Sequence, residues 1–231
     1  MGSSNVLRVG SLNCQGINDY YTRMALFHSL KESDLSIIFL QETKLQPELE
    51  YKYIKEWHNG NCIFNSTIGS KSGTAILVNS PVIKILHGSK MIDVEGRVIS
   101  VDVEVRGTLI HLVNSYGPNE SRLRVPFLNR MYLYLNSGKL IVWGGDHNIT
   151  TNPRLDRYPP RFDGDYGRSD FLDLMASFDL KDTCRFLYPE AFFLLFEGEL
   201  PKVASTRFVS LQIVLFVLIL RRILVFQTMS S

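Results

Sequence analysis

The chain has 231 residues, 45% of them hydrophobic and 21% charged, a length and balance suited to one substantial core. Its formal net charge of +2 gives no global field for a polyanion, so nucleic-acid contact would have to come from a local basic patch. Cys14, Cys62 and Cys184 are odd in number and lack CxxC spacing, which argues against a disulfide scaffold or a zinc site and for a reducing compartment. The opening MGSSNVLRVGSLN has no apolar run after a basic start, so secretion is not expected.

Residues 6–12 are short, apolar and β-branched and predict a strand, whereas residues 20–31 carry Met24, Leu26, Phe27 and Leu30 at helical spacing. LSIIFL is a continuous apolar run suited to a strand buried on both faces, and it ends in polar QET. Further strands are predicted over 74–78, 82–86 and 98–105. The last alternates through Val101, Val103 and Val105 and turns at Arg106-Gly107 into TLIHLVNSY, which makes a hairpin. Residues 118–135 are mostly helical in pattern despite Pro126, and KLIVWGGD reads as a buried strand ending in a Gly-Gly turn. A loop rich in Pro, Arg, Asp and Gly fills 152–168 before the helical SDFLDLMASF. Helices among strands, with hairpins between some of them, predict an α/β fold: two packed mixed β-sheets flanked by helices, a four-layer α/β sandwich.

Four strand-to-loop junctions carry polar groups where apolar runs stop: Asn13, Glu42, Tyr116, and Asp146 with Asn148. Singly, each has an ordinary explanation as turn former, solvated charge or core phenol. Together, in this order and spacing, SLNCQG, FLQETK, NSYGPN and GGDHN resemble the endonuclease/exonuclease/phosphatase superfamily over residues 7–200. Within it they are most similar to the apurinic-endonuclease-like domain of LINE-type retrotransposons. His147 stands where that family usually has Phe.

The resemblance implies a Mg²⁺-dependent DNA endonuclease hydrolysing phosphodiester bonds, with Mn²⁺ as an alternative ion. Negative charge grows on phosphoryl and leaving oxygens during such hydrolysis, and a hard divalent cation held by one or two carboxylates stabilises it. Carried over to this chain, Glu42 is the metal carboxylate and Asn13 supports the metal site. Tyr116 contacts the scissile phosphate, Asp146 orients or deprotonates the water, and Asn148 donates to the phosphoryl oxygens. Arg154, Arg157, Arg161 and Arg168 cluster in the loop after GGDHN, where they would contact DNA phosphates, balanced against Asp156, Asp163, Asp165 and Asp170. DNA is the expected partner, no obligate protein partner is inferred, and the nucleus or cytoplasm is the expected compartment. A phosphatase of the same superfamily and a non-catalytic DNA-binding remnant are the alternative readings.

The family also uses a second carboxylate in an Ile-Asp element and a final Ser-Asp-His. No Asp or His occurs after Asp182, and His147 is the last of the five histidines. Catalytic impairment and missing or aberrant closing strands are therefore expected, with residues 1–200 forming the domain and 201–231 an apolar tail. Within that tail the uninterrupted apolar run from Ile213 to Leu220 ends at Arg221-Arg222, well short of the roughly 20 residues that span a bilayer. As a single strand the tail is unusually long and lacks turn signals.

A shifted reading frame accounts for both its composition and the lost motifs. Ala204-Ser205-Thr206 coded GCA-TCG-ACN contains ATC-GAC, Ile-Asp, from the third base. Phe226 to Ser230 coded TTT-CAG-ACC-ATG-TCN contains TCA-GAC-CAT-GTC, Ser-Asp-His-Val, in the same frame. The coding DNA tests this: one insertion or deletion near codons 200–202 should restore both elements, and a coding sequence in which none does so refutes the shift.

Overall fold

The computed structural model describes residues 7–57, 61–69, 72–156, 165–187 and 189–190. β1 (Val9–Asn13) leads through α1 (Tyr20–Glu32) to β2 (Ile37–Gln41), which lies parallel to β1 with Asn13 opposite Gln41. A parallel pair needs a crossover, and α1 supplies it. Asp19 caps α1 by accepting the Thr22 N–H at 2.8 Å. A 3₁₀ turn (Pro47–Leu49) and α2 (Glu50–Trp57) precede β3 (Cys62–Asn65) and β4 (Thr74–Val78), giving a sheet ordered β1-β2-β4-β3.

The second sheet is ordered β5-β6-β7-β8, from β5 (Ile83–Ile92), β6 (Val98–Val105), β7 (Thr108–Tyr116) and β8 (Leu140–Asp146). β6 and β7 form the predicted hairpin. Arg106 and Gly107, at φ 50° and 81°, take the left-handed conformations that a two-residue turn between twisted strands requires. α3 (Arg124–Leu135) is the crossover that brings β8 parallel to β7, and Pro126 lies in its first turn, where a helix does not use the N–H. α4 (Arg168–Ser177) and α5 (Thr183–Leu187) follow.

Both sheets are mixed and pack face to face, as expected. Val9, Ile37, Phe39, Ile63 and Ile76 meet Ile99, Val101, Ile110, Leu112 and Val142 in the central layer. Phe27, Leu30, Tyr53 and Trp57 of α1 and α2 cover the outer side of the first sheet, on Ile38, Leu40 and Leu77. Phe127, Met131 and Leu135 of α3, with Phe171 and Leu174 of α4, cover Val113, Ile141 and Trp143 of the second. Each such side chain removed from water contributes about 1.5–3 kcal/mol, so both helical layers are anchored by apolar area.

Several elements differ from the sequence expectation. β1 runs from Val9 to Asn13, and β5 continues to Ile92 through a register shift between Leu86 and Met91. That bulge lets the polar HGSK stretch stay in the strand. α2, β3 and α5 are additional elements. Residues 191–231 lie outside the described residues, and with them the expected closing strands and the apolar tail. Among the described residues no helix is long and apolar enough to cross a membrane.

Polar groups sit at two load points of this core. Arg23 of α1 is 2% exposed. Its guanidinium binds Glu56 of α2 with Nε at 2.7 Å and Nη2 at 3.2 Å, and donates to the carbonyls of Ile17 and Asn18 at 2.9 and 2.8 Å. A buried charge is tolerated when it is paired and hydrogen-bonded in this way. Asn114 of β7 is fully buried between the sheets. It donates to the carbonyls of Leu40 (2.9 Å) and Ala75 (2.8 Å) and accepts from Gln41 Nε2 (2.8 Å). Asn114→Ala leaves a cavity and unpartnered polar atoms, and should lower unfolding free energy by about 3 kcal/mol in urea titrations. A loss within 0.5 kcal/mol, on the scale of an ordinary surface change, would show that the bridge is dispensable.

Candidate active site

Side chains two apart on a strand share a face, and this places the site. Along the inter-sheet face, β1 reads Val9, Ser11, Asn13; β2 reads Ile37, Phe39, Gln41; β7 reads Ile110, Leu112, Asn114, Tyr116; and β8 reads Val142, Gly144, Asp146. Apolar residues give way to bridging amides and hydroxyls, and then to Asn13, Tyr116 and Asp146 at the C-terminal ends. Glu42 follows β2 directly. Because β1 lies parallel to β2, and β7 to β8, these ends converge.

They meet in one hydrogen-bonded group. Asn13 Nδ2 donates to Glu42 Oε1 and to Asp146 Oδ2, each at 2.9 Å, and Asn13 Oδ1 accepts the Gln15 N–H at 3.1 Å. The Tyr116 hydroxyl donates to Glu42 Oε1 at 2.8 Å. Asn148 donates its backbone N–H to Asp146 Oδ1 at 3.1 Å and its amide to the Gly117 carbonyl at 2.9 Å. Lys44 Nζ lies 3.1 Å from Glu42 Oε2. The structure thus brings together Asn13, Glu42, Tyr116, Asp146 and Asn148. In this arrangement the Asn13 amide nitrogen bridges the two carboxylates, and the Tyr116 hydroxyl faces Glu42.

The backbone around the group is strained. Among the described residues, Gln15, Glu42, Lys44 and Asn148 are four of the six non-glycine residues with positive φ. Such conformations persist only where neighbours over-determine them. Close approach does so at two glycines: a Cβ at Gly145 would overlap the Ser115 carbonyl, and one at Gly117 the His147 carbonyl. The Gly117 N–H donates to the Asp146 carbonyl at 2.7 Å, tying the NSYGPN and GGDHN turns together.

The two carboxylates differ in their environments. Burial pushes the Glu42 carboxyl up, but hydrogen bonds from Asn13, Tyr116 and Lys44 outweigh it and hold the group below the usual range. At Asp146 burial prevails over the Asn13 and Asn148 hydrogen bonds, and the Glu42 charge adds to it, so this carboxyl is raised. Burial and the bond to Glu42 raise the Tyr116 phenol, keeping it a neutral donor. A persistent anion beside a carboxyl of higher proton affinity is the arrangement in which one group holds a cation and the other handles a proton.

Among the described residues no three His, Cys, Asp or Glu side chains cluster as a closed metal cage. Mg²⁺ does not need one: it takes one or two carboxylates and keeps its remaining positions for water and phosphate. Glu42, with Asp146 nearby, is a hard-oxygen donor set of that kind.

Of the four loop arginines, Arg157 and Arg161 lie outside the described residues. Arg154 is exposed. Arg168 directs Nε and Nη2 to the Thr151 carbonyl at 2.9 and 2.7 Å, so it fastens the loop to α4. Lys44 and Arg97 are further neighbours of the group. Lys44 lies inside FLQETK, so its place in the motif could have found it. Arg97 stacks over the Tyr116 ring at 5.1 Å and donates to the Tyr116 carbonyl at 3.2 Å; it lies far from Tyr116 in the chain and has no motif to mark it.

Residues 10–198 match the Endonuclease/Exonuclease/phosphatase family. The chain is 29% identical over 188 residues to the Transposon TX1 uncharacterized 149 kDa protein of Xenopus laevis, covering 80% of this chain but 14% of that protein. It is 26% identical over 202 residues to an exodeoxyribonuclease of Bacillus subtilis (strain 168), covering 80% of this chain and 77% of that one. The crystal structure of the AP endonuclease LMAP from Leishmania major shares the fold, with a TM-score of 0.63 at 21% identity over 80% of this chain and 70% of that one.

His147 is separate from this hydrogen-bonded group. It is buried between Trp143 and Phe171, with ring centroids 4.5 and 5.2 Å away, the apolar slot expected for a Phe. Nδ1 lies 3.2 Å from Ser115 Oγ, and Nε2 has no partner. Burial drives its pKa from 6.5 down to about 3. The folded state therefore keeps the ring neutral while the unfolded chain takes up a proton below pH 6.5, so stability is full above that pH and falls between 6.5 and 3. His147→Phe should remove this component: melting curves at pH 7 stay close to wild type, and the drop on going to pH 4.5 becomes shallower. An unchanged drop would overturn the assignment.

Proposed function

The chain belongs to the endonuclease/exonuclease/phosphatase family, and from that premise we propose that it acts on phosphodiester bonds in DNA as a retrotransposon-type endonuclease of attenuated turnover. The observation that carries this reading is the Glu42–Asn13–Asp146 bridge with Tyr116 on the same Glu42 oxygen. Glu42, held ionised, is the residue that would take Mg²⁺ or Mn²⁺, and Asn13 positions it. The ion supplies Lewis acidity and charge neutralisation at the phosphoryl oxygens. Asp146, with its raised carboxyl, accepts the proton of the attacking water. The Asn148 amide is a donor for the phosphate oxygens, and the Tyr116 phenol becomes one on turning its single O–H from Glu42.

DNA as substrate is supported by the nuclease and transposon relatives and by the exposed Arg154 in the loop after β8. A DNA substrate and three free thiols, Cys14, Cys62 and Cys184, suit the nucleus or the reducing cytoplasm.

The attenuated turnover is supported by the composition of residues 183–231. No Asp or His occurs after residue 182, so no imidazole is supplied there to donate to the phosphate or protonate the leaving oxygen. Losing one preorganised donor of this kind costs about 100- to 1,000-fold in rate. The same feature favours a second reading, a DNA-binding remnant without turnover.

Nicking of supercoiled plasmid separates these readings. Slow Mg²⁺-dependent nicking is expected, at least about 100-fold below an intact apurinic endonuclease, and Glu42→Ala should abolish it. Nicking at the full rate of that enzyme overturns the attenuation. Nicking that persists in EDTA or in Glu42→Ala overturns the site. Salt-dependent DNA binding without any cleavage selects the remnant, and hydrolysis confined to small phosphomonoesters selects a phosphatase.

A further inference from the structure

Glu42 offers an incoming cation one oxygen. Oε1 already accepts from Asn13 Nδ2 at 2.9 Å and from the Tyr116 hydroxyl at 2.8 Å. Oε2 faces the Lys44 ammonium at 3.1 Å. Lys44 therefore stands where a divalent ion would approach.

This pairing is built into the turn. Glu42 and Lys44 are both left-handed, at φ 53° and 51°, which brings two residues separated by Thr43 to bear on one point. The turn is clamped from both sides: the Thr43 carbonyl accepts the Ile17 N–H at 2.9 Å, while the Thr43 and Lys44 N–H groups donate to the Gly73 and Ser72 carbonyls, each at 3.0 Å. The aliphatic stem of Lys44 lies across Gly16, where a Cβ would come within 3.2 Å of Cδ. The ammonium also donates to the Gln15 carbonyl at 3.2 Å. Its side chain is 36% exposed, so the charged end can leave Oε2 for solvent without disturbing the clamp.

We infer that Lys44 is a tethered counter-ion for Glu42, which occupies the cation position at Oε2 in the metal-free protein and yields it when a divalent ion binds. The inference rests on the metal reading of Glu42 given above. Two consequences follow from charge alone. Without Lys44, Glu42 would be an uncompensated carboxylate near Asp146, and metal would bind it more tightly. Once displaced, the ammonium remains at the rim of the site as a mobile point charge suited to a phosphodiester oxygen. Lys44 is thus a positioning residue that weakens metal affinity and strengthens the hold on DNA.

Mn²⁺ binding to the full chain, followed by the loss of the free-ion electron paramagnetic resonance signal, tests this without any turnover. Lys44→Met should bind Mn²⁺ about three- to five-fold more tightly than wild type, the range expected for removing a part-exposed pair. Lys44→Arg should stay within about two-fold, since it keeps the charge. With Ca²⁺ in place of Mg²⁺, Lys44→Met should bind a duplex oligonucleotide a few-fold more weakly. Lys44→Gln is the second neutral variant should the Met protein not fold. A measurement needing no variant is acetylation of Lys44 read by mass spectrometry, which should accelerate when Mn²⁺ is added. Mn²⁺ affinity equal to or weaker than wild type in a folded neutral variant overturns the counter-ion. Acetylation of Lys44 that does not respond to Mn²⁺ overturns it as well. Glu42→Gln separates the two levels: if it binds Mn²⁺ as wild type does, the metal site itself fails, whereas if it loses Mn²⁺ while Lys44→Met is unchanged, only the counter-ion fails.

Discussion

The geometry of the site depends on a side-chain amide that crosses between two sheets. Asn114 of β7 reaches the carbonyls of Leu40 and Ala75 and accepts from Gln41, so three strands share one buried hydrogen-bonded node. Apolar packing between sheets tolerates sliding, because dispersion and hydrophobic burial have little directionality. Hydrogen bonds to fixed carbonyls do not, and an unmade buried one costs on the order of 1–3 kcal/mol. The node therefore sets how far β7 extends relative to β2. Tyr116, two residues on from Asn114, then meets Glu42, which follows Gln41. The 2.8 Å contact between them is a consequence of that register.

Beyond the node the backbone changes character, from regular strand to left-handed turn residues and glycines that admit neighbouring carbonyls. Strain of this kind is tolerable only on a rigid support, and Arg23 is part of that support. Its bonds to the Ile17 and Asn18 carbonyls and to Glu56 tie the loop after Asn13 to both helices of the outer layer. Ile17 in turn holds the Thr43 carbonyl between Glu42 and Lys44. A buried helix cation thereby steadies an acidic site, through backbone contacts and without touching a carboxylate of the site.

Much of this was legible in the sequence because strand periodicity carries it. TLIHLVNSY and KLIVWGGD are apolar strand patterns that finish on polar residues, and those polar ends form the hydrogen-bonded group. The same alternation marks Asn114 as an inward polar residue, a signal present in NSYGPN but easily assigned to the turn. What escaped notice lacked periodic or motif support. β3 is four residues long, and α2 is two turns of a largely charged segment, EYKYIKEW, whose apolar face only acquires meaning against Phe27 and Phe64. β5 passes through polar HGSK, which reads as a loop until a bulge absorbs it. The arginine cluster was legible as composition but not as geometry, since Arg168 is used on the Thr151 carbonyl.

Phosphodiester hydrolysis, the reaction proposed for this chain, has two proton problems, one at the attacking water and one at the departing oxygen, and the described part of the site meets them unequally. On the proposed water side, Asn13 joins two carboxylates whose surroundings drive their proton affinities in opposite directions, the division of labour that handling a cation and a proton side by side would need. Among the described residues His147, which follows Asp146 in the chain, is not a comparable group for the departing oxygen: it points into the Trp143–Phe171 slot on the far side of β8 and stays neutral there. His147 keeps the alternation of the strand it follows and faces outward, whereas Glu42, which follows the inward Gln41, reaches the site because its left-handed φ of 53° breaks that alternation. Proximity in sequence to Asp146 therefore does not bring His147 into the hydrogen-bonded group, and the alternation that assembles Asn13, Tyr116 and Asp146 on one face leaves it on the other.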